Sequence, residues 1–183
     1  AEQLAHPSHL VEVLAGRGAV VVHNPHSNLS NAVGFAPVVE MLGRGVRVGL
    51  GTDAYTADVL ASMQVAKIVA SGHRLDPTVG FGEAVAMCFE HNPAIASTVF
   101  GCDVGVLRPG AVADLVTLDY RPPTALDTRS AWGHVVFGMT GAQVTDVMVG
   151  GEWVLREREF TRLDEAEVLA HSAERAERVW KEL

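Results

Sequence analysis

The chain has 183 residues, 48% of them hydrophobic and 20% charged, enough for one sizeable core and too apolar for a disordered segment. Its 14 Lys and Arg against 22 Asp and Glu leave a formal charge of −8, which disfavours nucleic acid and anionic membranes as partners. Cys88 and Cys102 form neither a disulfide framework nor a zinc-ribbon spacing, so a reduced, cytoplasmic compartment is expected. No apolar run approaches the ~20 residues that span a bilayer. Ala1–His9 lacks the basic start and apolar run of a signal peptide, and the missing initial methionine is consistent with a portion of a longer polypeptide.

In chain order, His9–Leu14 reads as a helix with Leu10, Val13 and Leu14 on one face, ended by Gly16 and Gly18. Ala19-Val20-Val21-Val22 is a continuous β-branched run, as in a strand buried on both faces. It stops at His23-Asn24-Pro25, and a polar loop runs to Gly34. A helix is predicted from about Pro37 to Leu42 and a strand over Val46–Leu50, leading into Gly51-Thr52-Asp53. Ala57–Ala70 is the next helix, His73–Phe81 a loop, and Gly82–Phe89 and Pro93–Phe100 two more helical stretches. This alternation implies a parallel sheet with crossover helices.

The pattern changes after Gly101. Ala113–Asp119 alternates as a strand does, and residues 120–130 form a polar, proline-bearing loop. His134–Phe137, Val144–Val149 and Glu152–Leu155 read as short strands, the last two joined by Gly150-Gly151, a pair suited to a primed hairpin turn. Asp164–Leu183 reads as an amphipathic helix with Val168, Leu169, Val179 and Trp180 apolar. Asp164 serves as its N-cap, with Glu167 three residues on.

In a parallel α/β architecture ligands bind at the carboxyl ends of the strands. Two such ends carry polar groups: His23-Asn24-Pro25-His26-Ser27-Asn28 and Gly51-Thr52-Asp53-Ala54. A carboxylate placed as Asp53 is can ligate a divalent metal and accept a proton from water. It can equally cap the next helix. His23 taken alone reads more readily as a packed histidine than as a ligand, His26 as solvent-facing, and Ser27 and Asn28 as turn-forming residues. His6, His9, His73, His91, His134 and His171 lack metal-ligand spacing and read as structural, as do Cys88 and the three tryptophans.

Four segments in order resemble one family. HNPHSNLSNAVG (His23–Gly34) and VGLGTDAYTADVLASM (Val48–Met63) are similar to the strand-seven "P-x-S-N" and strand-eight "G-x-G-[ST]-D" segments of the amidohydrolase superfamily, in its branch of cytosine and guanine deaminases and chlorohydrolases. Gly105–Val116 resembles its "G-x-L-x-x-G-x-x-A-D-L-V" signature, and Val147–Val154 its "V-x-V-x-G-x-x-V" hairpin. The wording of the first two segments, with Tyr120–Pro123 and Gly138-Met139, is similar to the SsnA-type aminohydrolases.

The resemblance implies an α/β fold: the C-terminal part of a (β/α)8 TIM barrel over residues 1–100, part of a small β-sandwich over 101–160, and a C-terminal helix over 161–183. It implies a hydrolase of non-peptide carbon–nitrogen bonds, an aminohydrolase or deaminase of a small N-heterocycle or amidine, in which water is activated by one Zn2+ or Fe2+. Asp53 would be both a metal ligand and the group that moves the water's proton. Ser27 and Asn28 match the loop that borders the substrate, and His23 matches the strand end before it. The family's remaining ligands, a His-x-His after strand one and further residues after strands five and six, have no counterpart here. His6 and His9 lie too close to the strand-seven helix to be the first pair. Activity is therefore expected only together with the missing N-terminal half of the barrel, in an enzyme that could form a homodimer. A non-catalytic binding or assembly module that kept the fold is the competing reading. A phosphate-binding domain is disfavoured, because Gly49-Leu50-Gly51 lacks the glycine fingerprint and lysine of such loops.

Overall fold

The computed structural model describes residues 7–182. Its elements form two units, one holding the described residues up to Val112 together with Tyr120–Gln143, the other Ala113–Asp119 and the described residues from Val144 onward. The mixture of helices and strands is that of an α/β fold.

Two parallel strands organise the first unit. β1 (Val20–His23) pairs with β2 (Arg47–Leu50), with Val20 opposite Arg47 and His23 opposite Leu50. Parallel neighbours need a crossover, supplied here by two short helices, α2 (Pro25–Ser30) and α3 (Val38–Gly43). α2 lies in the segment that the sequence reads as loop. Pro25 suits its first turn because it has no N–H to satisfy there. The Asn28 and Asn31 amides then donate to the carbonyls of Asn24 and Ser27, each at 2.9 Å.

The core gathers Val46, Val48 and Leu50 of the β2 region, Val38 and Met41 of α3, and Val11 of α1 (Pro7–Gly16). Met63 and Ala66 join it from α4 (Val59–Arg74). Val48 and Met63 have no exposed surface, and burying each such side chain contributes about 1.5–3 kcal/mol. α4 runs four residues past the predicted Ala70, with the Ser71 hydroxyl donating to the carbonyls of Lys67 at 3.0 Å and Val79 at 2.8 Å. Leu75 ends it with a left-handed φ of 52°.

α5 (Phe81–Ala86), a π-helical turn (Met87–His91) and α6 (Asn92–Phe100) follow without a break. The π turn shifts the helical phase of α6 relative to α5, and His91 and Asn92 meet the edge of β2 that faces away from β1. Leu50 N donates to Asn92 Oδ1 and Asn92 Nδ2 donates to Leu50 O, both at 2.9 Å. Val48 N donates to His91 Nδ1 at 3.2 Å. Side chains thus close an edge that two strands alone would leave open. At Gly49 there is no room for a Cβ, which would lie 2.6 Å from Asn92 Oδ1.

The expected strand at His134–Phe137 is instead the second half of a helix, α7 (Ala131–Gly138). Four residues are too few for period alone to separate a strand from a buried helical turn. The decisive contacts come from Asp127: its carboxylate accepts from Arg129 N at 2.8 Å, and its carbonyl accepts from Ala131 N at 2.9 Å. His134 is buried, with Nδ1 2.7 Å from Tyr120 Oη, which ties the proline-bearing loop to α7.

The second unit is an antiparallel sheet in the order β3 (Leu115–Leu118), β4 (Val144–Val149), β5 (Glu152–Arg156) and β6 (Glu159–Phe160). Gly150 and Gly151 join β4 to β5 with φ of 59° and 83°, the left-handed pair that the hairpin needs. α8 (Glu165–Glu182) ends the described chain, with Asp164 Oδ1 accepting from Glu167 N at 3.1 Å. None of its residues is buried. Among the described residues no helix is long and apolar enough to cross a membrane.

Candidate functional site

Because β1 and β2 are parallel and in register, the loops after His23 and Leu50 leave from the same end of the pair. Gly51 N donates to His23 O at 2.9 Å, carrying the pairing one step further. A Cβ at Gly51 would collide with Asn24 Oδ1 and lie 2.6 Å from Val22 Cγ1, so only glycine lets the two loops approach this closely. The backbone then turns sharply. Asp53 and Ala54 both adopt left-handed φ, 51° and 56°, and Tyr55 N donates to Thr52 O at 3.0 Å. Such backbone costs roughly 1–2 kcal/mol per residue and concentrates at functional sites.

This turn presents the Asp53 carboxylate at the surface, beside α2. The buried Ser27 hydroxyl donates to Asp53 Oδ2 at 2.7 Å, and Asn31 Nδ2 donates to Ser27 Oγ at 3.2 Å. A chain Asn31–Ser27–Asp53 therefore orients one carboxylate oxygen, while Oδ1 has no hydrogen bond among the described residues. Asp53 does not cap the following helix. That position belongs to Asp58, whose carboxylate accepts from Ala61 N at 3.0 Å and from Gly141 N at 2.8 Å.

His26 is not solvent-facing as expected. It is half-buried, with Nδ1 3.1 Å from Ser62 Oγ and its ring stacked on Tyr55 at 5.4 Å between centroids and 16° between planes. Asn28 is half-buried, with its amide and carbonyl used in the local turns and its side chain unbonded among the described residues.

His23 occupies different surroundings. It is 5% exposed and lines a cavity of about 400 Å³ with Phe35, Val38, Ala66, Val69 and Met87, a cavity that neither Ser27 nor Asp53 lines. Its Nδ1 is buried without a hydrogen-bond partner among the described residues. Burial pushes its pKa below the ordinary 6.5. The folded chain therefore holds a proton on His23 less readily than the unfolded chain does. The stability tied to this neutral ring is fully present above pH 6.5 and is lost as pH falls below that value. Urea melts at pH 7.5 and 5.5 are expected to show a loss on acidification that shrinks in His23→Gln; an equal loss in both proteins would contradict this.

Sequence reasoning did not single out Asn31, Tyr55 or Ser62. For Ser62 a signal existed, since it is a polar residue on the same buried face of α4 as Met63 and Ala66. The Cys88 thiol, pushed up to about 11 by burial, is protonated at neutral pH and is a core group rather than a nucleophile. His9 lies on α1 near Glu12, with Nδ1 4.0 Å from Oε2, and His6 falls outside the described residues. Among the described residues no three His, Cys, Asp or Glu side chains stand together as a metal cluster.

Comparison with known proteins places this geometry in context. The amidohydrolase family profile matches residues 2–154. The chain is 34% identical over 174 residues to a 5′-deoxyadenosine deaminase of Methanopyrus kandleri, covering 92% of this chain and 40% of that protein. It is 34% identical over 154 residues to a 5-methylthioadenosine/S-adenosylhomocysteine deaminase of Thermococcus onnurineus, covering 82% and 36%. A zinc-bound adenosine deaminase structure from Xanthomonas campestris superposes with a TM-score of 0.81 at 27% identity, covering 98% of this chain and 41% of that one. A zinc complex of the atrazine chlorohydrolase TrzN from Arthrobacter aurescens, 20% identical with a TM-score of 0.71, shares the fold. The chain thus spans about 40% of the length of the Methanopyrus relative.

Proposed function

The chain belongs to the amidohydrolase family, and from that premise we propose that it forms the C-terminal portion of a metal-dependent aminohydrolase that removes an amino group from a small N-heterocycle. In this reading β1 and β2 are the last two strands of a TIM barrel within residues 1–100. The strands within 101–160 belong to a small β-sandwich, and 161–183 is the closing helix. A reducing, cytoplasmic setting suits the two free thiols.

One observation carries the proposal. Asp53 stands beyond the carboxyl end of β2 in a left-handed turn, its Oδ2 held by Ser27 and its Oδ1 open, while a different aspartate caps the next helix. A carboxylate that served only the fold would not be held out in strained backbone, away from the cap.

The donor set bears directly on the metal. Catalytic zinc takes three protein ligands, so Asp53 fits as one of them, and the described residues hold no cluster of three that would complete the site. The others come from the N-terminal half of the barrel, as part of the same polypeptide or as a second chain. Zinc or iron held there would supply water acidic enough to react at neutral pH. The Asp53 carboxylate, with Oδ1 unbonded among the described residues, would be the proton acceptor at that lip. Ser27 keeps the carboxylate from rotating, and Asn31 keeps Ser27 donating. Asn28 borders the substrate with its side-chain amide, unbonded among the described residues, and His23 supports the strand end from the cavity behind it. The nucleoside deaminases among the relatives favour a purine-like substrate.

Metal analysis tests the proposal. The full-length protein is expected to carry about one zinc or iron per chain, and these 183 residues alone none. A full-length protein that folds, binds no metal at neutral pH and releases no ammonia from heterocyclic amines would overturn it in favour of a non-catalytic module.

A further inference from the structure

Asp53 is flanked by two rings that neither the metal nor the proton transfer uses. We propose that His26 and Tyr55 form the substrate-reading wall of the site, stacking on the flat ring of the substrate and orienting it. This rests on the hydrolase reading above and assigns the residues that read its substrate.

Placement is the first argument. His26 immediately precedes Ser27, whose hydroxyl lies 2.7 Å from Asp53, and Tyr55 follows Asp53 by two residues in the same turn. The rings therefore stand at the lip from which the carboxylate projects. They lie nearly parallel, 16° apart with centroids at 5.4 Å, and Tyr55 is 56% exposed. One face of Tyr55 is covered by the imidazole, and the exposed remainder of the residue offers room for a third flat ring. Offset stacking between aromatic planes at such spacing is favourable and tolerant of ring identity.

The second argument concerns how His26 is held. Ser62 has no exposed surface and sits on the core face of α4 beside Met63. A serine buried on a helix ordinarily turns its hydroxyl back to a carbonyl one turn earlier. Ser62 instead reaches out to His26 Nδ1 at 3.1 Å. The imidazole is thus fixed by a hydrogen bond at one nitrogen and by a stack on its face, while Nε2 has no hydrogen bond among the described residues. A ring locked in this way is organised before ligand arrives. Nε2 can donate to a ring nitrogen or accept from an exocyclic amine, whichever tautomer Ser62 selects. An acyclic amidine offers nothing for the stack.

Purine is a suitable probe because it is planar and heteroaromatic but carries no amino group to lose. Calorimetry on the full-length protein is expected to show purine binding that Tyr55→Ala and His26→Ala each weaken roughly tenfold, the scale of one lost base stack. Tyr55→Phe, which keeps the ring, should retain wild-type affinity. Metal content should stay unchanged in all three variants, since neither ring is a proposed metal ligand, and the melting temperature should hold in the two Tyr55 variants, since Tyr55 is 56% exposed. The proposal is overturned if purine does not bind the wild type, or if both alanine variants bind it as the wild type does. Purine binding that depends on Tyr55 in a protein without metal would uphold this inference while removing the hydrolase reading, so the two fail separately.

Discussion

Asp53→Asn in the full-length enzyme is expected to lower kcat by about 10²–10⁴-fold, the range for loss of a positioned proton acceptor, with little change in fold. The substitution is close to isosteric. Asparagine tolerates left-handed backbone better than most residues, so the φ of 51° at this position is not a reason for collapse. Its side-chain oxygen can still accept from Ser27. What disappears is the negative charge, and with it, on the proposed reading, both a metal ligand and the group that takes the proton. Metal content should therefore fall together with turnover, while the melting temperature holds. Ser27→Ala should act in the same direction but more weakly, by about 10–100-fold in metal affinity, because it removes only the group that orients the carboxylate. If Asp53→Asn kept both turnover and metal, the carboxylate would have no part in the chemistry.

Asn92→Ala is expected to destabilise the first unit by about 2–4 kcal/mol, measured by urea denaturation. The side-chain amide is the partner of both Leu50 N and Leu50 O, each at 2.9 Å. Leu50 is only 4% exposed, so water cannot readily replace the lost partners. Leaving a buried donor or acceptor unsatisfied costs about 1–3 kcal/mol, and two such groups are a large share of a typical total stability of about 5–15 kcal/mol. Faster hydrogen exchange at the Leu50 amide should accompany the loss. A change within about 0.5 kcal/mol, the level of an ordinary surface substitution, would show that the edge of β2 is satisfied in another way.

Features written in local pattern are legible in the sequence. The run Val20-Val21-Val22 specifies a strand because β-branched residues follow one another without interruption, and Val46–Leu50 because Val46, Val48 and Leu50 alternate with Arg47 and Gly49. Gly150-Gly151 specifies its hairpin because few residues other than glycine accept two successive positive φ angles. Asp164 and Glu167 mark the start of α8 correctly. α2 is hidden because its six residues are mostly turn formers, and only the parallel pairing of β1 with β2 demands a compact crossover there. α7 is hidden because its apolar residues fit either period, and the Asp127 contacts that start it come from the polar loop before it rather than from the apolar run.

The candidate site divides along the same line. Asp53, Ser27 and Asn28 sit in motif segments and can be named from sequence. Tyr55 cannot, and Ser62 shows only as a polar residue on an apolar helix face, since its contact with His26 joins residues 36 positions apart; Asn31, four residues from Ser27, is missed together with α2. His23 carries the motif but not the placement: its side chain lines the cavity with Val38 and Ala66, and alternation along a strand sends neighbouring side chains to opposite faces.

A crystal of the full-length protein grown with zinc, with data collected across the zinc absorption edge, tests the central claim most directly. The account predicts one anomalous peak with an Asp53 carboxylate oxygen about 2.0–2.2 Å away and the Ser27 hydroxyl still donating to its other oxygen. A zinc peak held entirely by other side chains, with Asp53 pointing into solvent, would contradict it.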